Sequence, residues 1–167
     1  MHTCPSCATP DLAFATHDHA HCATDAMARA EHLLQMRGQR LTPVRRRALE
    51  ILLESHRALG AYDMLRRLAA EGFGHQPPVA YRALDFLAEQ GLAHRIRSVN
   101  GFAACMHPGE VHTAVFLICR LCATLSESRP APVLAALRKS AGGFKMESST
   151  IESIGLCAQC QSGAPCN

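Results

Sequence analysis

Four cysteines stand in two Cys-x-x-Cys pairs, Cys119/Cys122 and Cys157/Cys160, with residues 123–156 between them. Two such knuckles can close a four-thiolate tetrahedron around Zn²⁺. A shell filled by protein leaves no open position, so this centre would build structure rather than catalyse. The competing chemistry is a set of buried or redox-active thiols. The rest of the chain favours metal. It carries nine cysteines, an odd number, and ten histidines, and it opens on Met1-His2-Thr3-Cys4-Pro5 without a charged and greasy leader pattern. In a reducing compartment that combination reads as metal binding, and the expected location is the cytoplasm. A third pair, Cys4/Cys7, precedes a His17-Asp18-His19-Ala20-His21-Cys22 run. His17, His19, His21 and Cys22 could hold a further ion, either in an ordered site or in a zinc-scavenging arm.

A second chemistry-bearing segment is Pro77-Pro78-Val79-Ala80-Tyr81-Arg82-Ala83-Leu84-Asp85-Phe86-Leu87. At helical spacing Ala80, Ala83, Leu84 and Leu87 turn inward, while Tyr81, Arg82 and Asp85 face out. An exposed Tyr-Arg pair near a helix start suits the major groove, where Arg forks to guanine and Tyr meets a thymine methyl or a phosphate. Alone, the segment would be an ordinary amphipathic helix. Its neighbours change that reading.

Those neighbours are helices and a hairpin. One helix is expected from about Asp25 to Arg37, capped by Thr24 or Asp25 and closed by Gly38. Thr42-Pro43 opens a second, with Val44, Ala48, Ile51 and Leu52 on one face and Arg45 and Arg46 on another. A third covers about Tyr62 to Glu71, and the Pro77-Pro78 helix stops at Gly91. A hairpin follows, from Ala93 to Ser98 and from Phe102 to Met106, turning at Asn100-Gly101. Helices followed by a two-stranded ribbon make a winged helix-turn-helix. Pro108-Gly109 marks a hinge. Beyond it, a strand over His112–Cys119, helix around Val133–Ser140 and strand over Phe144–Ile154 form a small α/β unit with a cysteine pair at each end. A unit this small calls for a metal or a dimer partner. The expected fold class is therefore α+β. Its parts are an arm (1–23), a winged-helix domain (24–106), a hinge (107–111), a dimerisation domain (112–161) and a tail (162–167).

Charge follows the same division. Net charge is +3 overall, but residues 1–28 hold three Asp and no Lys or Arg, whereas residues 29–97 hold twelve Arg against seven acids. Arg is the better side chain for forked contacts to phosphate and guanine. A solvated helical surface would look similar, so charge supports nucleic-acid binding only together with the order of elements. No run of about 18 apolar residues occurs, so no membrane span is expected.

Leu41-Thr42-Pro43-x-x-Arg46, the Pro77–Leu87 segment and the two cysteine pairs resemble the ferric uptake regulator family over residues from about 25 to 160. The chain is most similar to its zinc uptake regulator branch. The resemblance implies a homodimer with an N-terminal winged helix and a C-terminal α/β dimerisation domain, binding inverted-repeat operators in double-stranded DNA when metal is bound. The iron branch carries a His-rich stretch where this chain has only His112. The zinc branch places regulatory ligands at positions matching His94, Cys105, His112 and Glu127. One thiolate, two imidazoles and one carboxylate suit Zn²⁺ better than six-coordinate Fe²⁺. His107 and Glu110 stand near enough in sequence to substitute. The implied function is a zinc-responsive repressor of zinc uptake genes, with one structural and one regulatory Zn²⁺ per monomer and Tyr81, Arg82, Arg45 and Arg46 meeting DNA. A zinc hydrolase would need an open metal position and a general base, and neither His-Glu-x-x-His nor Gly-x-Ser-x-Gly occurs. A metal buffer would need no recognition helix, and a sibling sensor for iron, manganese or peroxide would differ in metal selectivity.

Overall fold

The computed structural model describes residues 19–54, 56–109, 114–128, 131–146 and 149–163. Four helices come first: α1 (His19–Met36), α2 (Pro43–Leu53), α3 (Ala61–Ala70) and α4 (Pro77–Glu89). α1 begins at His19 rather than near Asp25. Ala26, Ala30 and Leu34, four residues apart, bury one face of it. No Gly or Pro interrupts the stretch upstream, so the helix runs through the expected caps Thr24 and Asp25. Residues 19–23 of the expected arm are therefore helical. Cys4, Cys7, His17 and Cys166 lie outside the described residues.

α2 starts where the sequence places it. Thr42 is extended (φ −68°, ψ 160°) and Pro43 occupies the first turn, although the Thr42 hydroxyl makes no capping bond. Proline's fixed φ suits that position. α2, α3 and α4 then share one core, in which Met64, Leu68, Leu84 and Leu87 are fully buried. Each such side chain contributes on the order of 1.5–3 kcal/mol. Arg47 ties α2 to α3 by a fork to Glu71 at 2.6 and 2.8 Å, and it also reaches Glu50 and Glu54, each at 3.2 Å.

The hairpin is present as β1 (Ala93–Ile96) and β2 (Gly101–Ala104), antiparallel, with His94 opposite Ala103 and Ile96 opposite Gly101. Its turn is longer than the Asn100-Gly101 expectation. Arg97–Asn100 forms it, Asn100 takes the left-handed conformation (φ 47°), and Gly101 already belongs to β2. Gly101 is needed for a different reason. A Cβ there would lie 3.2 Å from the Ala58 side chain and 3.3 Å from the Leu59 backbone. Leu59 uses that closeness to exchange backbone hydrogen bonds with Phe102, at 2.8 and 2.9 Å.

Further along the chain come β3 (Ala114–Cys119), β4 (Leu125–Ser128), α5 (Ala131–Ser140), β5 (Thr150–Gly155) and α6 (Ala158–Ser162). The sheet order is β4-β3-β5, with β4 antiparallel and β5 parallel to the central β3. A parallel pair needs a long crossover, which β4 and α5 supply. Neither β4 nor α6 is legible in the sequence, since both are too short to display a period. The fold is thus α+β, a winged helix-turn-helix followed by a small α/β unit.

The ribbon is shared between the two halves. Phe102, Ala93 and Ala104 face the helical core. Ile96 and Ala103, on the opposite face, join Ala114, Phe116, Ile118 and Leu125 of the C-terminal sheet. The Leu125 N–H also donates to the His56 carbonyl at 2.7 Å.

Candidate metal centres and nucleic-acid interface

The two cysteine pairs meet. β3 ends at Cys119, and a tight turn with Ala123 in the left-handed region (φ 60°) brings Cys122 back beside it. Cys157 caps α6, its sulfur accepting the Cys160 N–H at 3.4 Å. The parallel register of β3 and β5 sets Cys119 against Gly155, and Arg120 donates to the Gly155 carbonyl at 2.9 Å. That register delivers the second knuckle to the first. All four sulfurs lie within 4.8 Å of one another, and Cys122 and Cys157 are 3.8 Å apart. A Zn–S bond of about 2.3 Å in a tetrahedron requires sulfur–sulfur edges of about 3.8 Å, so the donor set fits zinc. Burial raises the Cys119 pKa, but N–H groups of Cys122, Cys157 and Leu121 outweigh it and bring the thiol down to about 6. A thiol held that low is disposed to ligate as thiolate.

A second cluster spans the ribbon and the C-terminal sheet. His94 comes from β1, Cys105 follows β2, and Glu127 lies on β4; their ligand atoms fall within 4.8 Å of one another. Nε2 of His94 is 3.5 Å from the Glu127 carboxylate, which is almost wholly buried (2% exposed). The other Glu127 oxygen accepts the Met106 N–H at 2.9 Å. The His94 ring stands edge-on to Phe116, with centroids 5.1 Å apart. Burial would lower the His94 pKa, yet hydrogen bonds to Cys105 and Glu127 and the Glu127 charge raise it to about 9. A cation-seeking pocket is therefore in place around the imidazole. Three of the four expected regulatory ligands are brought together. The fourth, His112, and the substitute Glu110 lie outside the described residues. His19, His21 and Cys22 sit on the first turns of α1, and their side chains too are outside the described set.

On α4, Tyr81, Arg82 and Asp85 are exposed while Ala80, Ala83, Leu84 and Leu87 are buried. The two arginines of α2 have protein partners. The Arg45 guanidinium lies 3.6 Å over the Phe86 ring, and Arg46 pairs with Glu31 of α1. Arg47, which the sequence did not single out, is engaged with Glu71, Glu50 and Glu54. Glu152 was also missed. Its carboxylate accepts the Arg97 and Ser98 N–H groups, each at 2.8 Å. No spacing rule connects a strand residue to a turn so distant in sequence.

Among known proteins, the zinc uptake regulation protein of Escherichia coli (strain K12) is 35% identical over 139 residues, covering 81% of each chain. A zinc uptake regulator solved in complex with zinc and DNA superposes with a TM-score of 0.78 at 34% identity, covering 84% of this chain and 96% of that one. Holo XcZur matches with a TM-score of 0.73 at 36% identity, and apo XcZur with 0.51 at 37%; each match covers 84% of this chain and 99% of the other. The arrangement of this chain is thus nearer to the holo form. No family model matches the chain. On the strength of the 35% identity over four-fifths of both sequences, the chain belongs to the ferric uptake regulator family, in its zinc uptake regulator branch.

Proposed function

We propose that this protein is a cytoplasmic, zinc-responsive transcriptional repressor that binds inverted-repeat operators as a homodimer and controls zinc uptake genes. The observation that carries this reading is the His94–Cys105–Glu127 cluster, which takes ligands from both sides of the ribbon–sheet seam. Its relatives named for zinc uptake regulation, and the neighbour solved with zinc and DNA, support the same reading.

Cys119, Cys122, Cys157 and Cys160 would hold one structural zinc per monomer, and His94, Cys105, Glu127 and His112 one regulatory zinc; a further ion in the arm would fall to His17, His19, His21 and Cys22. When bound, the regulatory metal supplies coordinate bonds to both sides of the seam. His94 and Cys105 hold the base of the ribbon against Glu127. The ribbon is packed on the helical core, so its position sets that of α4. Tyr81 and Arg82 then reach base edges, and Arg45 and Arg46 meet the phosphate backbone beside them. Dimerisation is supported by β5, which pairs only with β3 among the described residues, and by the exposed Phe144 and Ile154. Two recognition helices in successive major grooves need a separation of roughly 34 Å, which a fixed seam can maintain. Without that fixation the competent fraction falls, and apparent affinity falls with it.

The test is a titration of DNA binding with zinc, iron and manganese in parallel, using duplexes selected from a random pool by the zinc-loaded protein. Binding that rises with zinc at lower free-metal levels than with iron or manganese is the expected result. Metal-independent binding would leave a winged-helix protein with two structural sites.

A further inference from the structure

In the C-terminal sheet, Phe116 of β3 is opposite Glu127 on one side and Glu152 on the other. Directly opposed residues project from the same face of a sheet, so a row Glu127–Phe116–Glu152 crosses it under the ribbon. The three members grip different parts. Glu127 meets His94 and the Met106 N–H at the base of the ribbon, and Phe116 meets the His94 ring. Glu152 meets the Arg97 and Ser98 N–H groups in the turn at the tip.

We propose that Glu152 is a positioning residue for DNA binding, a metal-independent clasp that seats the wing turn on the C-terminal sheet so that the metal cluster has only the base of the ribbon left to close. The inference rests on the functional reading above. Two adjacent N–H groups converging on a carboxylate form a charge-assisted pair of hydrogen bonds, stronger than neutral ones. A two-stranded ribbon held only at its base could swing at its tip, because an isolated hairpin is marginal in water. Held at both ends, it transmits the seam's geometry to the helices. Burial raises the Glu152 pKa, but hydrogen bonds from Ser98 and Arg97 bring it below the usual carboxylate value, consistent with a committed anion.

The experiment compares full-length wild type with Glu152→Gln, both zinc-loaded, using the selected duplex. Gln keeps the shape but presents an NH₂ where one acceptor stood. Three quantities are measured: amide hydrogen exchange at Arg97 and Ser98, duplex affinity at saturating zinc, and regulatory-site zinc affinity with and without duplex. In the variant, exchange should quicken and duplex affinity should fall about tenfold. Zinc-free duplex affinity should not change, because the base of the ribbon is then open and the clasp alone cannot seat the wing. By reciprocity, the gain in zinc affinity caused by duplex should therefore shrink by the same factor. Melting temperature and structural zinc content should not change. Equal duplex affinity and equal zinc–duplex coupling in wild type and variant would overturn the clasp, as would tighter duplex binding by the variant or a lower melting temperature with coupling intact. A wild type without zinc-dependent duplex binding would instead overturn the functional reading. The exchange data would then still show whether Glu152 holds the turn.

Discussion

The tetrathiolate centre and the His94–Cys105–Glu127 cluster are built on opposite plans. In the first, two short knuckles each bring their own pair of ligands, and one strand register, β3 beside β5, brings the knuckles together. In the second, no two ligands come from the same strand, and Glu127 reaches the cluster only if the ribbon has docked on the C-terminal sheet. A site of the first kind is part of folding, because its formation is inseparable from that of the unit containing it. A site of the second kind reports on the relation between two units, as a sensor must. Filling it can shift a population only as far as the ligand binds one arrangement better than the other.

The largest expected effect attacks the first plan. Cys119→Ser should lose one tightly held zinc and destabilise the C-terminal unit and with it the proposed dimer. A loss on the order of 5 kcal/mol would lower the melting temperature by roughly 10–20 °C in a chain of this size. Zinc content by mass spectrometry and thermal melting decide it. Full zinc content with an unchanged melt would remove the tetrathiolate from the account.

Cys105→Ala attacks the second plan. The expected product is a folded protein that keeps its tetrathiolate zinc and loses its zinc-dependent gain in duplex affinity. Couplings between sites are typically about 5–150-fold, and that whole factor is at stake. Duplex binding across a zinc titration is the measurement. An unchanged zinc response would mean that the seam cluster is not the sensor and that the contrast between the two plans is structural only.

The same contrast explains what could be read in advance. Cys-x-x-Cys is a local signal, and Thr42-Pro43 and Pro77-Pro78 are local start signals; each sits where the sequence places it. Glu127 could be named only from family resemblance, because its place depends on the pairing of β4 with β3, and four residues carry no detectable period. Glu152 was invisible for the same reason. The start of α1 was misplaced because Thr24 and Asp25 are good caps, yet the buried Ala26–Ala30–Leu34 face lets the helix run through them. The basic face of α2 was legible as charge, but its protein partners were not: Arg45 lies over the Phe86 ring and Arg46 pairs with Glu31.

Arg82→Ala separates reading from sensing. Arg82 is exposed on the early part of α4 and belongs to neither metal cluster. Loss of a forked Arg–guanine contact should cost ~1–3 kcal/mol and relax preference at one position per half-site, with both zinc sites intact. Binding to single-base variants at two salt concentrations distinguishes this from a phosphate contact, whose loss weakens all sequences alike and flattens the salt slope. A uniform loss would move specificity to Tyr81, the wing or DNA shape.

The smallest effect asks whether the seam cluster exists before metal arrives. His94 is raised from 6.5 to about 9 by Cys105 and Glu127, against the opposing pull of burial. A base with a raised folded-state pKa stabilises the folded arrangement fully below its unfolded value and loses that contribution as pH climbs through the folded one. In protein stripped of regulatory zinc but holding its tetrathiolate zinc, protonated His94 should therefore keep the ribbon docked near pH 6. Docking should weaken between about pH 6.5 and 9. Histidine ring resonances would follow the titration, and amide exchange at Ala103, opposite His94 in the ribbon, would follow the docking. Cys105→Ala removes one of the groups that hold the proton, so its His94 should titrate lower than in the wild type. If His94 titrates near 6.5 in the stripped wild type, Glu127 and Cys105 are not beside it until metal binds. The seam is then assembled by the ion rather than waiting for it, and the two plans differ in the order of events as well as in architecture.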